Sequence, residues 1–71
     1  MEKFYGTFGY GHLHLFNGIT LDHDIVGVIE APDMEKAWEV AFNLFGDKFF
    51  TVYNEASIEM KYFPRGTINL N

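Results

Sequence analysis

The feature that most constrains this fold is an Asn-Gly dipeptide, Asn17-Gly18, between two runs of alternating residues. Asn-Gly favours a type I′ turn, because both central positions of that turn need positive φ angles. A two-residue loop places Phe16 opposite Ile19 and thereby fixes every pair further along the two arms. In this register nearly all the apolar side chains fall on one side of the hairpin, and a slip of one residue would mix the two sides.

We therefore predict one long N-terminal β-hairpin from about Lys3 to Ala31. On this register its outermost apolar pair is Phe4 opposite Ala31. Glycine inside a strand often marks a bulge, so a break near Gly9 or Gly11 would divide the hairpin into two pieces.

The segment after the hairpin has the pattern of an amphipathic helix. Asp33 is placed to cap the first turn, and Gly46 stands where a left-handed residue ends a helix. The apolar stripe between them spans about 200° of the helix surface, wider than the roughly 100° that packing on one sheet requires. The residues of the stripe and its flanks are Met34, Ala37, Trp38, Val40, Ala41, Phe42, Leu44 and Phe45. We predict a helix from Met34 to Phe45 with Trp38 as its anchor in the core. Either the edge of the stripe contacts a partner, or the helix lies deep in a small core.

Further strands are predicted after the helix, at residues 49–53 and 58–62, and residues 67–71 either add a short edge strand or fray. The chain is therefore predicted to be one α+β domain, residues 1–71. Its antiparallel sheet has three to five strands in the chain order β-β-α-β-β, and the helix covers one face. The third strand is expected to pair antiparallel with the first.

The hairpin is too long for the helix to cover. A helix of about 12 residues is about 18 Å long, whereas a 13-residue strand exceeds about 40 Å. The tip, residues 10–25, is therefore predicted to be exposed and to associate with a partner. The predicted partner-binding residues are Tyr10, Phe16, Ile19, Leu21 and Phe42.

All three histidines lie within twelve residues of the hairpin. The predicted register places His12 two residues from His14 and directly opposite His23. Three imidazoles on neighbouring strands are able to hold zinc and leave a fourth position open to water. Zinc is the one cofactor that the sequence suggests; the alternative is that the histidines are ordinary hairpin residues, one of them hydrogen-bonded in the core.

Composition narrows the class of function. The chain has no cysteine, so it has neither a disulfide nor a thiolate metal site, and this suits a cytoplasmic location. Its net charge of −5 disfavours binding to nucleic acid. No apolar run approaches the roughly 20 residues of a membrane span, and the N-terminal residues do not resemble a signal peptide. We expect a cytoplasmic protein that binds neither nucleic acid nor membrane.

A resemblance to small proteins of bacteriophages and mobile elements is carried by the run Ile29-Glu-Ala-Pro-Asp-Met-Glu-Lys-Ala-Trp-Glu-Val-Ala-Phe-Asn-Leu-Phe-Gly46, entered from a hairpin that opens Phe4-Tyr-Gly-Thr-Phe-Gly. The layout also resembles short phage inhibitors of bacterial RNA polymerase, which follow a hairpin with a helix and a strand. The resemblance covers about residues 3–55 and carries over no functional residue. It implies compact, acidic, non-catalytic proteins that bind and block a host protein, including polymerase inhibitors and anti-CRISPRs.

These observations predict a non-enzymatic module that inhibits a host protein by occupying its surface. The carboxylates are scattered, so no acid–base pair and no catalytic residue is predicted. Two alternatives stay open. The first is a homo-oligomer, most simply a dimer, that buries the same surfaces or binds a small ligand between subunits, and the second is a metal-binding protein that uses the histidines.

Overall fold

The computed structural model describes all residues of the chain, 1–71, as a four-stranded sheet, a two-stranded sheet and one α-helix. The α+β class is confirmed. The main sheet has the strand order β5-β1-β4-β6, and β2 and β3 form the second sheet. No helix of this chain is long and apolar enough to span a membrane. The elements are β1 (Glu2–Thr7), β2 (His14–Phe16), β3 (Ile19–Leu21), β4 (Val26–Ala31), α1 (Met34–Phe45), β5 (Thr51–Asn54), a 3₁₀ helix (Met60–Tyr62) and β6 (Thr67–Asn69).

The strand pairing of the main sheet is mixed. β1 pairs antiparallel with β4 and with β5, which confirms the predicted pairing of the first and third strands. β6 lies parallel to β4 at the other edge. The parallel pair arises because the chain crosses from one edge of the sheet to the other after β5 and then runs in the direction of β4.

The tight turn at the tip of the hairpin is confirmed. Asn17 and Gly18 both have positive φ angles, 50° and 79°, and Phe16 pairs with Ile19. The register does not continue to the base of the hairpin, where Phe4 pairs with Ile29 instead of Ala31.

The cause is an interruption between the two ladders. Gly9 and Gly11 adopt φ angles of 63° and 90°, which draws this part of the first arm out of the ladder. Between the last pair of one ladder, Gly6–Gly27, and the first pair of the other, His14–Leu21, the first arm has two more residues than the second. Because the shift is an even number, Phe4 and Phe8 still face the core although the partner of Phe4 changes. Tyr10 and His23, predicted on the same side, turn into a groove beside the other face of the sheet. The predicted pairs Phe4–Ala31 and His12–His23 are wrong, and the hairpin is in two pieces.

The interruption also folds the tip back onto the domain. The molecule measures only 27 × 26 × 19 Å, too small for a straight hairpin of about 40 Å. Leu21 is 0% exposed and belongs to the core, and Phe16 is half-buried against the core. The prediction that Leu21 and Phe16 are exposed beyond the reach of the helix is therefore wrong.

The helix begins and ends where the sequence predicts. The Asp33 carboxylate accepts a hydrogen bond from the backbone N–H of Lys36 at 2.9 Å, and the N–H of Gly46 donates to the carbonyl oxygen of Phe42 at 2.8 Å. Only Ala37 and Ala41 are fully buried. Small residues at these positions bring the helix axis close to the sheet, and the larger side chains of the stripe pack around its sides. Trp38 is half-buried and packs against the core at one of these sides.

The main core lies between the helix and one face of the main sheet, here called the helix face. This face carries the strand residues Phe4, Ile29 and Val52, and the core also includes side chains from the folded-back tip. A methyl group on Gly27 would overlap the Leu70 side chain, so glycine at this position lets the C-terminal end of the chain pack down onto β4. The buried residues of the core are Phe4, Phe8, Leu21, Ile25, Ile29, Ala31, Ala37, Ala41, Phe49, Val52 and Leu70.

The other side of the main sheet, here called the opposite face, carries Tyr5, Val28 and Tyr53 as neighbours on three strands. The residues after β5 lie beside this face without forming a strand, so the predicted strand at 58–62 is wrong. Its alternating pattern does not build a ladder because the chain passes alongside the sheet instead of joining an edge. Met60 and Tyr62 are exposed, and a single turn of 3₁₀ helix replaces the expected strand.

Candidate functional site

An open groove with aromatic walls lies beside the opposite face of the main sheet. It has a volume of about 540 Å³ and draws its walls from four separate parts of the chain. We call it the aromatic groove. Its lining residues are Thr7, Gly9, Tyr10, His23, Phe50, Tyr53, Tyr62 and Phe63.

The first wall is the end of β1 and the turn that follows. The backbone N–H of Phe50 donates to the carbonyl oxygen of Thr7 at 2.8 Å, which fixes the start of β5 beside the end of β1. Gly9 has a φ angle of 63°, and a Cβ at this position would lie 3.1 Å from the Cβ of Phe50. Glycine is therefore required at position 9 for two reasons: the backbone is left-handed, and Phe50 approaches closely. The same turn that interrupts the hairpin sets the position of an exposed ring.

The second wall is a stacked pair of rings. Tyr10 lies on His23 with ring centroids 4.4 Å apart and planes inclined by 23°. Nε2 of His23 lies 3.0 Å from a carboxylate oxygen of Asp24. The stack supports one face of the Tyr10 ring, while 85% of the residue stays exposed.

A polar cluster behind the stack holds this wall in place. One carboxylate oxygen of Asp22 accepts from the backbone N–H of Asp24 at 3.0 Å and from the guanidinium of Arg65 at 3.2 Å. The backbone hydrogen bond lowers the pKa of Asp22 most, and the charge of Arg65 lowers it further. Two backbone hydrogen bonds, Arg65 to Asp24 and Val26 to Gly66, both 3.0 Å, join the same segments. The loop after the 3₁₀ helix is thereby fastened to the loop that carries His23.

The third wall combines Tyr53 of β5 with Tyr62 and Phe63 of the loop. The Nζ atom of Lys61 lies 5.2 Å from the centroid of the Tyr62 ring and 3.4 Å from a carboxylate oxygen of Glu59. Next to Tyr53, the hydroxyl of Tyr5 donates to Glu55 at 3.1 Å. Burial, and then this contact with Glu55, raises the pKa of Tyr5.

The groove lining contains no lysine, arginine or carboxylate. Its polar atoms are tyrosine hydroxyls, the His23 imidazole and the Thr7 hydroxyl, which donates to the carbonyl oxygen of Thr51 at 3.1 Å. The arrangement suits recognition by ring faces together with a few hydrogen-bonding groups.

The predicted partner-binding residues are not brought together. Tyr10 lies in the aromatic groove. Ile19 is partly exposed at the hairpin tip, and Leu21 and Phe16 turn towards the core. Phe42 is half exposed on the helix, with its ring 5.2 Å from Phe49 and 6.0 Å from Trp38.

The three histidines are also separated. The His14 ring packs against Phe8 and Phe45 at centroid distances of 5.8 and 4.7 Å, and its Nε2 donates to the carbonyl oxygen of Lys48. His23 stacks in the groove wall, and His12 lies outside every strand. This placement does not gather His12, His14 and His23 into a zinc site.

One other set of metal-ligand side chains, Asp22, His23 and Asp24, has ligand atoms within 4.8 Å of one another. These atoms already bind each other, Arg65 and the backbone of the loop. These contacts explain why the three side chains lie together: they hold the groove wall in place.

Four aromatic residues of the groove were not predicted as site residues from the sequence: Phe50, Tyr53, Tyr62 and Phe63. The available signal was the density of aromatic residues from Phe49 to Phe63. The segment was predicted as two strands, 49–53 and 58–62, and that prediction did not indicate a groove. A loop that turns back beside β5 brings the rings to one groove instead.

Comparison with known proteins finds no match: no family model fits the sequence, and no curated protein and no solved structure is detectably similar to it. The resemblance to phage and mobile-element proteins stays a prediction. The groove and the other exposed surfaces are therefore the features that bear on function.

Proposed function

We propose that this protein is a non-enzymatic protein-binding module and that the aromatic groove is its contact surface. One observation carries the proposal. Tyr10, Phe50 and Tyr62 are 85%, 64% and 66% exposed, and they line the same groove. Exposed large aromatic residues that converge in this way are typical of the central residues of protein interfaces.

The energetics support this use of the groove. An aromatic side chain removes roughly 150–250 Å² from water when it is buried, and it has few rotatable bonds to immobilise. The groove is also prepared before binding, since the Tyr10 ring is stacked and the loop that carries Tyr62 is fastened by Arg65. Less freedom is lost on association with a surface that is already ordered.

The proposal extends to inhibition of a host protein, in the manner of phage or mobile-element proteins such as anti-CRISPRs and polymerase inhibitors. Its support is the small size of the chain, the net charge of −5 and the exposed aromatic groove. A protein of this size acts on a larger one most simply by covering a surface that the larger protein uses. Nucleic acid is a poor alternative ligand for so acidic a chain.

A second candidate function is self-association through the hairpin. Leu13 and Leu15 lie outside the core and are 72% and 76% exposed. Leu15 is the central residue of the short strand β2. This patch is separate from the groove lining. A dimer formed here would leave the aromatic groove free for a partner.

Affinity capture with two matched variants tests the proposed function. Immobilised protein is incubated with bacterial lysate, and the captured protein is identified, purified and titrated against the wild type by calorimetry. We expect Tyr10→Ser with Phe50→Ser to weaken this binding at least about tenfold, the effect of losing roughly 1.4 kcal/mol. Leu15→Ser, an exposed change outside the groove, is expected to bind normally. Equal binding by the groove variant would contradict the proposal.

Sizing with light scattering tests the second candidate. If the hairpin patch makes a dimer, the wild type has twice the mass of the chain and Leu15→Ser is a monomer. A wild type that stays monomeric at high concentration would exclude this candidate and leave the groove as the sole contact surface.

A further inference from the structure

We infer that the aromatic groove binds a cationic side chain, an arginine presented by a basic segment of the partner protein. This inference rests on the proposed function and specifies the chemistry of the partner at the groove. It follows from the rings, from the distribution of charge around them and from a contact that the chain already makes.

Five of the eight residues that line the groove are phenylalanine or tyrosine. An aromatic ring carries negative charge density on its faces, so a cation within about 6 Å of the centroid is attracted to it. Tyr10, Phe50 and Tyr62 are the most exposed rings of the lining, and Tyr53 is half-buried beside them. Several rings around one open space act on the same cation, as in the aromatic cages that recognise charged ammonium groups.

The chain itself shows that one of these rings accepts a cation. The Nζ atom of Lys61 lies 5.2 Å from the centroid of the Tyr62 ring. Lys61 precedes Tyr62 in the sequence and is largely exposed, so it reaches only the nearest ring. The remaining rings of the lining have no lysine or arginine among them.

The charges around the groove also favour a cation. His23 of the lining stands between Asp22 and Asp24, and Glu59 lies in the adjoining pocket with Tyr53, Tyr62 and Phe63. Lys61 pairs with Glu59 and Arg65 with Asp22, which leaves Asp24 without a lysine or arginine partner, and the chain carries a net charge of −5. An anionic ligand would enter against this field, and a neutral one would gain nothing from it.

Arginine fits the groove better than lysine does. Its planar guanidinium is weakly hydrated, stacks on aromatic faces and has donors along its edge. The tyrosine hydroxyls of the lining residues are acceptors for these donors. At about 540 Å³ the groove is also wide enough for a flat side chain together with part of its backbone.

Titration with defined peptides tests this inference. A capped seven-residue peptide of glycine with two arginines is added to the labelled protein, and backbone amide resonances are followed by NMR. We expect shifts at Gly9, Tyr10 and Phe50, with binding that weakens as salt is added. The same peptide with citrulline in place of arginine keeps the shape and loses the charge, and we expect it not to bind.

Two substitutions at Tyr10 separate a cation contact from simple apolar contact. Tyr10→Phe keeps the ring and loses one of the three tyrosine hydroxyls of the groove, so it is expected to bind the arginine peptide more tightly than Tyr10→Leu and within about twofold of the wild type. Tyr10→Leu keeps an apolar side chain without a ring, and we expect binding about fivefold weaker, the order of effect of one cation–π contact. Dispersed amide spectra of both variants check that they fold, as expected for a side chain that is 85% exposed.

Several outcomes would overturn the inference. These are no shift in the groove with the arginine peptide, equal binding of the citrulline peptide, or preferential binding of a proline-rich peptide. If the groove variants still lose the captured partner under any of these outcomes, the proposed function stands and only the cationic chemistry is wrong. If the peptide binds but the partner is unaffected by groove variants, the proposed function fails.

Discussion

The two faces of the main sheet are covered in different ways. The helix face lies under α1 and the folded-back hairpin, and its large side chains, such as Phe8 and Ile29, are nearly inaccessible. The opposite face lies beside a loop with a single turn of 3₁₀ helix, and the aromatic groove and an adjoining pocket open there.

The difference shows how the shape of a covering element determines what a sheet face can do. A helix presents a continuous apolar stripe and satisfies its own backbone hydrogen bonds, so it seals a face. An irregular loop needs partners for its backbone, and here it obtains them through contacts such as Arg65 to Asp24. The loop is fixed at these hydrogen bonds, and the aromatic rings between them stay exposed. One face therefore stabilises the fold, and the other is available for binding.

The largest expected effect compares a phenylalanine on each side. Phe8 is buried between His14 and Phe45, and Phe8→Ala is expected to cost about 3–5 kcal/mol of unfolding free energy through lost burial and a cavity. Phe50→Ala, in the groove, is expected to cost only about 0.5 kcal/mol. Urea unfolding of both variants measures the difference. A similar cost at both sites would mean that Phe50 belongs to a core.

The folded-back tip is tested by two leucines of the hairpin. Leu21 is inaccessible to solvent, so Leu21→Ala is expected to cost about 2–5 kcal/mol. Leu15 faces outward, and Leu15→Ala is expected to change stability by less than about 0.5 kcal/mol. Thermal or urea unfolding of the two proteins gives the comparison. If Leu21→Ala were as stable as Leu15→Ala, the tip would extend from the domain.

Gly6 and Gly27, which pair across β1 and β4, allow a test of how closely the helix face is packed. A methyl group at Gly27 would overlap Leu70, so Gly27→Ala is expected to destabilise the protein by about 1–3 kcal/mol. At Gly6 the nearest atoms would lie 3.7 Å away, and Gly6→Ala is expected to be neutral or to stabilise by about 0.4–1 kcal/mol. Opposite signs in one unfolding experiment would confirm the close packing of Leu70 on β4, and equal effects would contradict it.

The smallest effect concerns acid stability of the groove wall. Folding lowers the pKa of Asp22, because the backbone N–H of Asp24 and the charge of Arg65 favour the carboxylate. Its contribution to stability is therefore present above the unfolded pKa, about 3.9, and is lost as the pH falls through the lower folded value. Asp22→Asn removes this dependence. Unfolding free energies at about pH 6 and about pH 3 are expected to differ less for Asp22→Asn than for the wild type, whereas the exposed change Asp47→Asn serves as the control. An identical difference for Asp22→Asn and the wild type would contradict this role.

The prediction of fold succeeded where neighbours in sequence settle the structure. The helix bounds follow from an acidic cap, a stripe with helical period and a terminal glycine, all within one segment. The tip turn follows from two residues that tolerate positive φ angles. Phe4, Phe8 and Ile29 also face the core as the alternation predicts, since the change of register is an even number of residues.

The prediction of the site failed where distant segments meet. Leu21 was expected to be exposed because a straight hairpin outruns the helix, but the glycines between the ladders let it bend. Tyr62 was expected in a strand, and it lies in a loop that brings it into the groove with Tyr10 from the other end of the chain. Neither outcome is encoded in the spacing of nearby residues.

The sequence by itself determined the α+β class, the helix from Met34 to Phe45 and the turn at Asn17-Gly18. The tertiary structure alone decided that the hairpin folds back, that β6 runs parallel to β4 and that rings from four segments form one groove. The physical reason is the range of the interactions. Caps, turns and periodicity act over a few residues, whereas burial and loop fastening depend on contacts between parts of the chain that are far apart in sequence.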